Sequence, residues 1–477
     1  MRILKRLLRI SSFDSEKVPL FVSFSCSSFS IISPLNLAYL NQNILKKVFI
    51  LAKFYPCMIP DEIVARKILD SRGKPTISVT VKSEGKKGEA SAPSGKSRGK
   101  YEAEPFSSKG IEFSITFLNA FGKKIVADKI ELKKFSDLEK IEEIAEKLDK
   151  TKNWSLIGGN ALYALEAALL KCLAAANDKG LWQFLSEEDN IPLEKIKIPR
   201  PLGNCIGGGM HVPASLQEKK TDYQEFLVLP KTEHFFDSYF INLQAYKKAK
   251  NLLVEKDKAW RGTLTDENAL ASTLGNEQVL DLMSEVANEI KRQFGITLGL
   301  GIDMAASSLC QVDYIYKNPR KKLTKEQQIN YIVELIKKYN LVYIEDPLKE
   351  EDFSGFSRLL KEVQGIGSKV LICGDDLTAT HPERLEKAIK EKSVNAVIVK
   401  PNQNGSLLKT KEFLDLAKKH DIVTIISHRS GETSDNTIAH LAVGWQAQII
   451  KTGILGKERF AKLHELMRIE REIAKQH

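Results

Sequence analysis

The chain lacks the marks of several common protein classes. No Gly-rich dinucleotide loop and no P-loop follows any apolar run, which argues against a nucleotide-dependent enzyme. The six cysteines, Cys26, Cys57, Cys172, Cys205, Cys310 and Cys373, are far apart and include no C-x-x-C pair. Most lie in apolar contexts, as small core residues do, which indicates a reducing compartment, the cytoplasm, and no thiolate metal site. The charge-free stretch Val18–Leu45 is interrupted by serines, asparagines and Pro34, so it makes a poor membrane span. A uniform excess of positive charge is missing as well. The formal net charge is +11, but Arg2, Lys5, Arg6, Arg9, Lys17, Lys46, Lys47 and Lys53 face only Asp14 and Glu16 in residues 1–57. Beyond them basic and acidic residues are mixed, and no nucleic-acid partner is indicated.

What remains is an ordinary globular composition, 43% hydrophobic and 28% charged over 477 residues, long enough for two domains. Residues 1–57 form an extension with three open readings: sequence translated ahead of a true start at Met58, a targeting or anchoring segment, or a folded element. From Ile63 the pattern becomes regular. Thr76–Val81 alternates as a strand does, and a Gly/Ser/Lys-rich loop, APSGKSRGKYEA, follows it. Helical patterns at Leu138–Leu148 and Ala161–Ala176 complete a small α+β domain over residues 58–190.

Residues 195–477 are rhythmic. Short apolar runs fall at Ile198–Ile206, Glu225–Leu229, Ile296–Asp303, Leu341–Asp346, Val370–Asp375, Asn395–Lys400, Ile422–His428 and Gln446–Lys451. Between most of them lie amphipathic helical stretches: Gln278–Phe294, Lys325–Tyr339, Phe353–Val363, Pro382–Glu391, Ser406–Lys419 and Asn436–Val443. This alternation predicts an α/β fold, a TIM-type (β/α)8 barrel. No long helix is marked between the first two runs, so the second strand is expected to run antiparallel, with Gln224 and Glu225 on the catalytic rim.

The runs end in charge. Asp303 closes ITLGLGID, Glu345 falls in LVYIED, Asp375 in KVLICGDD, and Lys400 closes NAVIVK. His428–Arg429 and Lys451 end the last two runs. A charge at the end of an apolar strand must be solvated, paired or metal-bound. In a barrel of this type these ends share one face, where chemistry is done. Three hard oxygen donors suit Mg²⁺, and a lysine whose pKa is lowered by desolvation can act as a base; a salt bridge from Lys400 to Asp375 is the other reading. Arg429 and Ser430 in IISHRSGET form an anion-binding turn. The glycines before His211 in CIGGGMHVP suggest a flap with a polar tip.

The segments DSRGKPTISVTV, APSGKSRGKYEA, YIEDP, GDDLTATHP, VIVKPNQNGSL, SHRSGETSDN and QIIKTG together resemble the enolase (phosphopyruvate hydratase) family over about residues 60–473. The resemblance implies an enolase-type barrel with an N-terminal α+β domain, and Mg²⁺-dependent dehydration of 2-phosphoglycerate to phosphoenolpyruvate in glycolysis and gluconeogenesis. It implies metal ligands at Asp303, Glu345 and Asp375, with Ser97 at a second Mg²⁺. Lys400 would take the C2 proton, and Glu267 would protonate the departing hydroxyl, supported by Glu225 and Gln224. His211 would close over the substrate, Arg429 and Ser430 beside His428 would hold the phosphate, and Lys451 the carboxylate. A homodimer or higher homo-oligomer is also implied.

Three loops depart from the family pattern. Its GDEGG motif reads TDENA here, Thr265–Ala269; PASLQEKKTDY adds residues after His211; and Lys96 and Arg98 replace small residues flanking Ser97. Two rival readings follow: a non-catalytic enolase-like scaffold, and a superfamily enzyme acting on another carboxylate.

Overall fold

The computed structural model describes residues 57–96, 98–213 and 220–475, so the extension, Ser97 and most of the insertion after His211 lie outside the described residues. Strands β1 (Glu62–Leu69), β2 (Pro75–Ser83) and β3 (Lys86–Ser91) form an antiparallel meander. The β2–β3 turn, Glu84–Gly85, has positive φ at both residues (46° and 77°), as a tight hairpin connection requires. Sequence alternation marks only β2. The KKGEAS of β3 carries no apolar stripe because its inner face is used for close approach. A Cβ on Gly88 would stand 2.1 Å from the Ala168 carbonyl oxygen, on the buried helix Gly159–Ala176.

Strands β4 (Arg200–Gly207), β5 (Glu225–Pro230), β7 (Leu298–Asp303), β10 (Tyr343–Glu345), β11 (Leu371–Gly374), β12 (Ala396–Val399), β13 (Val423–Ser427) and β14 (Ile449–Lys451) close a barrel through a β14–β4 pairing. A two-residue strand, β6 (Leu270–Ala271), adds to the β4 rim, and β8 (Tyr314–Lys317) with β9 (Arg320–Leu323) makes a separate hairpin. β5 is antiparallel to both neighbours, as its expected reversal requires, and every other adjacent barrel pair is parallel.

Leu202, Leu227, Tyr343, Cys373, Ile398, Ile425 and Ile449 fill the interior, each at most 1% exposed. Burying a large apolar side chain of this kind stabilises by roughly 1.5–3 kcal/mol. Outside, each wall strand meets a helix, which is why these runs are apolar on both faces rather than alternating. The glycines of LGLGID make room for the neighbouring strand: a Cβ on Gly301 would lie 2.9 Å from Tyr343 Cβ.

The helices carry their own boundaries. Thr324 caps Lys325–Tyr339 by accepting from the Gln327 amide, and the Gln327 side chain accepts from the Thr324 amide in return. Ser406 caps Leu407–Lys419 by accepting from the Lys409 amide at 2.9 Å. Three long helices have no counterpart in the sequence reading: Ile111–Ala127, Lys457–Ala474 and, the longest of them, Phe235–Lys256. The last exposes Phe236, Phe240 and Val254 while burying Ser238 and Asn242, which blurs the apolar stripe that identifies a helix. The N-terminal sheet and barrel are tied at the mouth. Ser94 and Gly431 exchange backbone hydrogen bonds at 2.8 and 2.9 Å, laying the 92–103 loop across the turn after β13.

Candidate active site

Strand register fixes the floor of the site. Glu225 pairs with Asp303, and Asp303 with Glu345, so three carboxylates stand side by side on consecutive strands. Lys451 ends β14, Lys400 follows β12, and Asp375 follows β11. Asp303, Glu345, Glu225 and Lys451 are each at most 3% exposed.

Two ammonium groups organise these acids. Lys451 Nζ lies 2.7 Å from Glu225 Oε2, 3.1 Å from Asp303 Oδ2 and 2.8 Å from Glu345 Oε2. Lys400 pairs with Asp375 Oδ2, whose other oxygen accepts from Gln403. The trio Asp303, Glu345 and Asp375 is therefore divided between two cations. Among the described residues, the groups whose ligand atoms lie within 4.8 Å of one another are instead Glu225–Glu267–His428 and Asp346–Asp375–Asp376. Asp346 serves the second group as a brace, accepting the Asp375 and Asp376 amides at 3.0 and 2.9 Å.

Four carboxylates against two lysines leave a formal excess of negative charge, and Glu345 registers it. Burial first, then Asp303, push its carboxyl up to about 8 despite Lys451. A hard divalent cation suits this oxygen-rich, under-neutralised donor set. Lys400 departs from expectation. Burial pulls its pKa down, as the sequence reading has it, but the contact with Asp375 outweighs burial and holds the lysine above its ordinary value. The salt bridge, the other sequence reading, forms.

The acid side lies across the cavity. His211 Nδ1 is 2.7 Å from Asp266 Oδ1 and 3.8 Å from Glu267 Oε1. Burial opposes protonation of His211, but Glu267 and Asp266 together hold it above the ordinary histidine value. Burial would raise Glu267 too; His211 beside it and a hydrogen bond from Glu225 keep it well below the usual carboxylate range. His428, 3.6 Å away, is kept neutral by burial, so the compensating charge comes from His211. Burial and its acidic neighbours hold Glu225 well above the usual carboxylate range, against the pull of Lys451.

Lys400, Asp303, Asp375, Glu225, Gln224, Glu267, His211, His428, Arg429, Ser430 and Lys451 all line one cavity of about 310 Å³, with Glu345 behind Lys451. A second cavity of equal volume, near Tyr316, Pro319 and Tyr331, shares none of these groups.

A family model described as the enolase C-terminal TIM barrel domain matches residues 195–477, and one for the enolase N-terminal domain matches 61–185. The chain is 38% identical to the enolase of Methanosphaera stadtmanae over 417 residues, which is 87% of this chain and 97% of that protein. It is also 38% identical to the Archaeoglobus fulgidus enolase over 418 residues, again 87% and 97%. The chain belongs to the enolase family.

Several groups at this enolase site escaped the sequence reading. Arg429, expected to face an anion, gives Nη2 to both oxygens of Glu102, at 2.8 and 3.1 Å. Ser430 Oγ accepts from Arg72, which Asp70 and Ser94 also hold. Glu102 lies in APSGKSRGKYEA and Asp70 and Arg72 in DSRGKPTISVTV, segments that carried the enolase resemblance but from which only Ser97 was given a role. Asp266 stood in TDENA beside Glu267. Each is a partner of a predicted residue, and such pairing is tertiary information. The family uses a metal ion, and the acidic groups above could hold one.

Proposed function

We propose that the chain is a phosphopyruvate hydratase, a lyase that interconverts 2-phosphoglycerate and phosphoenolpyruvate with Mg²⁺ as cofactor. The observation that carries the reading is Lys400 facing, across a single cavity, the carboxyl pair Glu225 and Glu267. Elimination of water needs a base at one carbon and an acid at the next, on opposite sides of the substrate.

Asp303, Glu345 and Asp375 would hold Mg²⁺, with Ser97 as ligand to a second. When bound, Mg²⁺ supplies positive charge that offsets the second negative charge developing on the substrate carboxylate. Lys400 removes the C2 proton. It becomes basic only when another cation shares the charge of Asp375, which otherwise keeps the ammonium protonated. Glu267 protonates the departing C3 hydroxyl, supported by Glu225, while Gln224, which donates to Asp303, borders that position. His211 closes over the substrate. Arg429 and Ser430 beside His428 receive the phosphate, Glu102 holding the guanidinium in place, and Lys451 takes the substrate carboxylate.

We further read the chain as a glycolytic and gluconeogenic enzyme of the cytoplasm and a homodimer or larger homo-oligomer, its domains dividing at residues 58–190 and 195–477. Cys172, Cys205, Cys310 and Cys373 are free thiols, and no described helix is long and apolar enough to cross a membrane. The decisive experiment follows phosphoenolpyruvate absorbance from 2-phosphoglycerate with and without Mg²⁺. Turnover that disappears with a chelator and returns with Mg²⁺ is expected; binding without turnover would favour the scaffold reading.

A further inference from the structure

Two of the loops that depart from the family pattern, and the His211 flap beside them, meet at one carboxylate. Asp266, in the TDENA loop, faces His211 Nδ1 with Oδ1 at 2.7 Å, and its amide donates to the His211 carbonyl at 3.2 Å. Its Oδ2 is buried and accepts no hydrogen bond, but Lys96 Nζ from the 92–103 loop stands 3.1 Å away. A buried carboxylate oxygen without a donor is costly, and this ammonium compensates it.

The rest of the 92–103 loop is held elsewhere. Its first end is fixed by Arg72 on Ser94 and by the Ser94–Gly431 pairing. At its far end Lys100 and Tyr101 both reach Glu351, and Arg384 covers the Tyr101 ring 3.6 Å from its centroid. Arg98, the other added cation, turns to its near neighbour Glu104. Lys96 instead crosses the mouth of the cavity.

We propose that Lys96 and Asp266 form a latch that holds the 92–103 loop, the His211 flap and the Glu267 loop in one arrangement before substrate arrives. Lys96 is then a positioning residue for the hydratase reaction, and this inference rests on that reading of the site. A loop fixed beforehand spares substrate binding the cost of ordering it.

The test compares wild type with Lys96→Met, Lys96→Arg, Asp266→Asn and the Lys96→Met/Asp266→Asn pair in Mg²⁺. Kinetics with 2-phosphoglycerate are read alongside amide hydrogen exchange of residues 92–103 without substrate. Lys96→Met is expected to raise KM roughly three- to tenfold with little change in kcat, and to speed exchange in the loop. Lys96→Arg should restore both, and the double variant should show no larger KM change than Asp266→Asn alone. Unchanged KM and exchange in Lys96→Met, or full additivity in the double variant, would overturn the latch. A wild type that does not turn over 2-phosphoglycerate would defeat the hydratase reading, while the exchange experiment would still decide whether the latch exists.

Discussion

The barrel rim and the loops above it place charged groups by different physics. On the rim, backbone register does the work: Glu225, Asp303 and Glu345 are neighbours because their strands pair at those residues. In the loops, charge pairs do it: Lys96 to Asp266, Arg98 to Glu104, Arg429 to Glu102. Rim geometry is rigid and insensitive to single side chains, whereas loop geometry depends on individual contacts. The rim follows the enolase pattern in this chain, and the departures gather in the loops, where a change of partner is tolerated by the fold.

That contrast breaks if rim substitutions are mild. Lys400→Ala should lower turnover by at least about 10³-fold with far-UV circular dichroism preserved, because the lysine supplies chemistry and the strand pairing supplies structure. Near-normal rates would remove Lys400 from the role of base. Glu267→Gln should slow dehydration by about 10²–10³-fold yet leave C2 proton exchange in D₂O, followed by NMR, intact. Loss of both together would mean that the two sides of the cavity do not divide the labour.

A gentler probe sharpens the comparison through pH. In the folded chain burial and Asp303 push the Glu345 carboxyl up to about 8 from an ordinary value of 4.5, so the folded state binds more protons between those values. Stability of the metal-free protein should therefore fall as pH rises from about 5 to 8 and level off above, the slope following the proton difference. Mg²⁺ at saturation should flatten that slope, since it competes with the proton for the same oxygens. Thermal melts across the range, with and without the ion, measure it; equal slopes would argue against metal at the rim. The latch substitution Lys96→Met should give the smallest effect of all.

The legibility of the chain follows the same division. Eight apolar runs with charged ends were readable because strand period, strand length and terminal charge are local properties of the sequence. The reversed second strand could be inferred from the missing helix between β4 and β5. The helix Phe235–Lys256 could not, since its exposed phenylalanines and buried polar residues run against the stripe that identifies helices. Nor could the direction of the Lys400 shift: burial is visible in an apolar run, but Asp375 lies twenty-five positions away in the chain.

By itself the sequence determined the barrel, its rim of successive acids followed by cations, and membership of the enolase family, because periodicity and motif order survive without coordinates. Tertiary structure alone decided which cation each carboxylate faces, that Glu225 is raised while Glu267 is lowered, and that Asp266 gathers three loops. Coulombic and desolvation energies depend on distances between residues far apart in the chain, and only folding sets those distances.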